Sequence, residues 1–79
     1  MEADTQYLQI ENVILRYENP QVGRECWEYC RNQGVTCELV SSPEVAEFYA
    51  KHAQPVKITA GLFAAIINKS NGMHTVQAN

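Results

Sequence analysis

Seventy-nine residues, 46% of them hydrophobic and 19% charged, set the size of one domain, residues 1–79, with a small core. The formal charge of −3 and the scatter of the six basic residues leave no basic stripe, which argues against direct nucleic-acid binding and against an anionic membrane surface. The longest apolar run, residues 62–67, falls far short of the roughly 20 residues that span a bilayer. The opening MEADTQ is acidic and polar rather than a secretory signal. Together with three cysteines, an odd number, it points to a cytoplasmic chain whose thiols stay reduced.

In chain order, Tyr7-Leu8-Gln9-Ile10 alternates, and Val13-Ile14-Leu15-Arg16-Tyr17 reads as a central strand. The two runs are out of phase, which predicts a bulge or break near Glu11-Asn12. Tyr7, Ile10, Ile14 and Tyr17 also match helical spacing, so a helix over residues 5–18 stays open as an alternative. A helix follows, with Asn19 as N-cap, Pro20 in the first position and Gly34 as the left-handed residue that ends it. Its stripe comprises Val22, Cys26, Tyr29, Cys30 and Gln33.

Residues 35–40 alternate as a second strand. Ser41 or Ser42 then caps a second helix that starts at Pro43 and ends before Pro55, with Val45, Phe48, Tyr49 and His52 as its stripe. Residues 56–59 read as a short strand. Residues 62–67 and 73–77 read as a hairpin across the Asn71-Gly72 turn, with a short helix over residues 60–68 as the competitor. The expected fold is α/β in the order β-α-β-α-β-β, a four-stranded mixed sheet with helices on opposite faces.

A strand ending in RYENP, a helix closing at NQGV, the SSPEVAEF helix and ITAGLF entering the hairpin resemble the glutaredoxin branch of the thioredoxin-like fold, over residues 12–77. The resemblance implies a Cys-x-x-Cys or single cysteine in the turn after the first strand, where this chain has Asn19-Pro20-Gln21-Val22. It also implies a cis-proline before the third strand, where this chain has Thr59-Ala60. The family's redox chemistry is therefore expected to be missing. A degenerate thiol–disulfide oxidoreductase using Cys26 or Cys30 is the alternative function.

Cys26 and Cys30 lie one turn apart in mid-helix, away from the N-terminal dipole that would activate a thiol. Cys37 shares the inward face of its strand with Val35 and Leu39, so the three thiols are expected to meet in the core. Neither Cys-x-x-Cys nor closely spaced histidines are present for zinc; His52 reads as a helix-end residue and His74 as an isolated one. No catalytic residue, metal site or cofactor is expected.

Trp27 lies about 120° from the centre of the first helix's stripe, half exposed, and Trp is enriched among binding hot spots. With Glu28 and Arg31 it forms the expected protein-binding surface. The thioredoxin-like fold implies a last helix on the face of the first, and this chain is truncated at the C-terminus before one. A half-bare apolar face would then need cover from a partner, from a second copy as a homodimer, or from residues 1–10. The resulting expectation is a small non-catalytic protein-interaction module, a regulator or inhibitor of a larger assembly.

Overall fold

The computed structural model describes residues 5–53 and 60–76. β1 (Gln6–Ile10) and β2 (Val13–Tyr17) form an antiparallel hairpin in which Ile10 faces Val13 across Glu11 and Asn12. That turn is the break that the phase shift predicted. With Leu8 opposite Leu15, it puts the apolar sets of both strands on one face. Glu11 takes the left-handed backbone, φ 56°, to close it.

α1 (Pro20–Asn32) begins where the Asn19 side chain accepts the Gln21 N–H at 2.9 Å. It ends in a Schellman motif. Gly34 stands at φ 80°, its N–H bonds the Arg31 carbonyl, and the Val35 N–H bonds the Cys30 carbonyl, both at 3.0 Å. The helix settles close to the sheet at Gly23, where an added Cβ would come within 3.3 Å of the Tyr17 Cβ.

β3 (Cys37–Val40) pairs antiparallel with β1, and the strand order is β3-β1-β2-β4. Every neighbouring pair is antiparallel, so the expected mixed sheet is corrected. β2 and β3, joined through α1, do run in the same direction, but β1 stands between them and removes the parallel pairing. α2 (Pro43–Lys51) is capped by Ser42, whose Oγ accepts the Val45 N–H at 3.4 Å. Its Ala46 and Ala50 pack with Ile14 and Val76 on the face opposite α1, so α1 and α2 occupy opposite faces as expected.

The C-terminal part departs from expectation. Residues 60–67 form α3 (Ala60–Ile67), the competitor reading, and β4 (Gly72–Thr75) pairs with β2 instead of closing a hairpin with residues 62–67. The observed order is therefore β-β-α-β-α-α-β, in place of β-α-β-α-β-β. NKSNG serves as the link from helix to strand. The Asn71 N–H bonds the Arg16 carbonyl at 2.6 Å, and the Asn71 Oδ1 accepts the Glu18 N–H at 3.0 Å, so the link is tied to β2. The strand expected over residues 56–59 lies outside the described residues.

α3 overturns the premise of a bare face and a truncated fold. Leu62 and Ile66 join Leu8, Leu15, Tyr17, Cys26 and Cys30 in one buried cluster, so α3 shares the face of α1 and covers it. The Tyr17 hydroxyl, fully buried, donates to the Ile66 carbonyl at 2.7 Å and fixes α3 to β2. No helix among the described residues is long and apolar enough to cross a membrane.

Candidate functional site

The three thiols converge in the core. Cys26, Cys30 and Cys37 are free and all buried, Cys30 completely. Burial pushes the Cys26 thiol above its ordinary pKa; Cys37 is raised by its hydrogen bond to Cys30 and then by burial, while the same bond lowers Cys30. Shut off from solvent, all three, Cys30 included, make packing groups rather than nucleophiles. The His52 Nδ1–H donates to the Phe48 carbonyl at 2.8 Å, and His74 is exposed on β4. Among the described residues, no three His, Cys, Asp or Glu side chains gather where a metal ion could be held.

The more informative feature is the outer edge of β3. This strand is last in the sheet, so among the described residues one side of its backbone has no neighbouring strand. Donor and acceptor directions follow from the hairpin. Ile10 and Val13 close a two-residue turn and exchange hydrogen bonds, so Tyr7 and Gln9 direct theirs toward β3 and meet Val40 and Glu38. By alternation, the N–H and C=O groups of Cys37 and Leu39 point outward, away from β1.

Helix side chains flank this edge on both faces. On one, Trp27 is half-buried against the core and the Arg31 guanidinium lies 4.9 Å over its ring. Together with Gly34, Val35, Thr36, Cys37 and Glu38 they line a shallow depression. The structure thus brings together Trp27 and Arg31 of the expected binding residues. Glu28, about 100° further round α1 than Trp27, is exposed and takes no part in the depression.

On the other face, α2 is turned relative to expectation. Val45, Phe48, Tyr49 and His52 were expected on its inward stripe, yet the buried residues are Ala46 and Ala50. Phe48 is 59% exposed, and Val45 and Tyr49 about 40%. Phe48 stacks obliquely on His52 at 4.5 Å between centroids and meets Tyr49 edge-on at 6.0 Å. Tyr7, Ile14 and Val40 already fill this face of the sheet, leaving room for a helix only through small residues. The Ala46–Ala50 spacing, one turn apart, carried that signal in the sequence but was outweighed by the larger apolar side chains.

Tyr49 and His52 border a pocket of about 300 Å³ completed by Gln9, Glu11, Thr36, Glu38 and Ala53. It sits at the start of β3, beside the hairpin turn and the end of α2. The Glu11 Oε2 is shut off from solvent and has no hydrogen-bond partner among the described residues. No family model, curated protein or solved structure matches this chain.

Proposed function

We propose that this chain is a small non-catalytic protein-interaction module that receives its partner along the open edge of β3, between Trp27 and Arg31 on one side and the aromatic stripe of α2 on the other. The observation that carries the reading is α2, which turns its alanines to the sheet and leaves Val45, Phe48 and Tyr49 outside, with Tyr49 beside Thr36 and Glu38 at the edge of β3, where the described residues supply no further strand. Burying large apolar groups stabilises a 79-residue domain, and α2 forgoes that gain on these three side chains. An added strand supplies main-chain hydrogen bonds, and aromatic side chains beside it supply contact area. This reading replaces the bare-face argument, which α3 removes, and it does not depend on the thioredoxin-like resemblance. Regulation or inhibition of a larger assembly is the role that such a module would serve.

The test is site-specific photo-cross-linking in the source cell. A cross-linker at Thr36 or Phe48 should give a discrete adduct; one at Ala64 on the outer side of α3 should not. An adduct between two copies would identify the partner as the chain itself. Absence of an adduct at both edge positions, or equal adducts from α3, would refute the reading.

A further inference from the structure

The outer face of α2 has the pattern of one half of a symmetric seam. Of the five exposed large hydrophobic side chains among the described residues, three, Val45, Phe48 and Tyr49, stand on this nine-residue helix. At about 100° per residue, Phe48 points directly away from the midpoint of the buried Ala46 and Ala50, and it is the most exposed of the five. Glu44 and Lys51, both exposed, fall about 40° and 60° to one side of Phe48. His52 and Val45 fall about 40° and 60° to the other, and the His52 ring continues the aromatic surface through its contact with Phe48. An aromatic centre is thus flanked by charges on one side only.

The charged flank also has a direction. Glu44 stands in the first turn and Lys51 in the last. Each complements the helix's own dipole, but the dipole fixes only the end at which a charge sits and does not ask that both share a flank. A two-fold axis lying in the contact plane and crossing the helix between Glu47 and Phe48 maps Glu44 onto the position of Lys51 and keeps each flank on its own side. Two antiparallel copies therefore set Glu44 of each beside Lys51 of the other, twice, with the Phe48 rings meeting at the centre and Val45 coming beside His52 of the second copy. Parallel copies would instead place Glu44 against Glu44 and Lys51 against Lys51. The face is its own complement in the antiparallel sense, and flanking charges of this kind set partner and orientation in paired helices.

Resting on the interaction reading above, we infer that the partner is a second copy of this chain, bound two-fold symmetrically through antiparallel α2 helices. Phe48 and its neighbours supply the contact area, and the two Glu44–Lys51 pairs select the partner and its direction. Nine residues of helix span about 13 Å. A seam this short buries less than the roughly 800 Å² per partner of a standard interface, so the affinity expected is in the high-micromolar range.

The experiment is sedimentation equilibrium of the full chain from micromolar to millimolar concentration, which should show a reversible monomer–dimer equilibrium. Glu44→Lys and Lys51→Glu each turn both pairs repulsive and should each weaken dimerisation about tenfold. An equimolar mixture of the two variants should recover the wild-type affinity, because both pairs of the mixed dimer attract again. That recovery also shows that neither variant has lost its fold. A wild-type dimer that both charge variants leave unchanged, or a mixture that recovers nothing, would overturn this inference. A wild type that stays monomeric would overturn it too, and leaves the interaction reading standing if the cross-linker at Phe48 captures a different protein. A monomeric chain with no adduct from Thr36 or Phe48 would overturn both.

Discussion

Tyr17→Phe probes the contact on which the closed sheet face depends. The Tyr17 ring is fully buried, and its single hydroxyl proton goes to the Ile66 carbonyl at 2.7 Å, with the Cys26 thiol close by. Phenylalanine keeps the ring packing and removes this bond together with the hydroxyl's contact with the Cys26 thiol. A buried hydrogen bond of this type contributes about 0.5–1.5 kcal/mol, and stranding its acceptor costs more. The Ile66 carbonyl keeps a second partner, the Lys69 N–H at 3.2 Å, so the stranding is partial. The expected loss is therefore about 1–2 kcal/mol. In a domain of this size that lowers Tm by roughly 5–15 °C. Thermal unfolding followed by circular dichroism gives the shift, and hydrogen exchange should show α3 amides losing protection first. Tyr29→Phe is the control, because Tyr29 is 45% exposed and its loss should be near neutral. A Tyr17→Phe variant with unchanged Tm and unchanged α3 protection would refute the claim that this bond holds α3 over the core.

Other expectations are as direct. Gly34→Ala meets no neighbour within 4 Å, so its cost is the left-handed backbone alone, on the order of 1 kcal/mol by denaturant unfolding. Stability should fall with rising pH. Cys26, Cys37 and Tyr17 are all raised in the folded state and stay protonated, whereas their unfolded counterparts ionise from about pH 8.5 for the thiols and 10 for the phenol; Cys30 alone is lowered, by its bond to Cys37, and acts against these three. The contribution is complete below about pH 8.5 and declines above it, so Tm measured between pH 7 and 10.5 should be flat and then drop. A thiol reagent at neutral pH should label all three cysteines in denaturant and label them slowly in native protein; rapid native labelling of Cys26 would revive the oxidoreductase alternative. Phe48→Ser, at a side chain 59% exposed, should leave Tm within a few degrees while abolishing the cross-link from Thr36.

Local chemistry determined much of this protein. Asn19 and Pro20 start α1, Gly34 ends it, Ser42 and Pro43 start α2, and the phase slip at Glu11-Asn12 places the hairpin turn; each rests on one residue's backbone or capping preference and needs no distant partner. The burial of the three cysteines followed from their in-phase positions on one helix face and one strand. That Trp27 and Arg31 sit together was legible for the same reason, since they lie one turn apart on the flank of α1. What tertiary structure decided were matters of competition. Residues 60–67 suit a strand or a helix, and the helix wins where Leu62 and Ile66 can close the core over Tyr17. The sheet becomes antiparallel because β1 takes the place beside β2 that β3 would otherwise hold, a choice among strands that no single segment encodes. The orientation of α2 was settled likewise: its period fits either face, and the bulk of Tyr7, Ile14 and Val40 beneath it admits Ala46 and Ala50 and turns Phe48 outward.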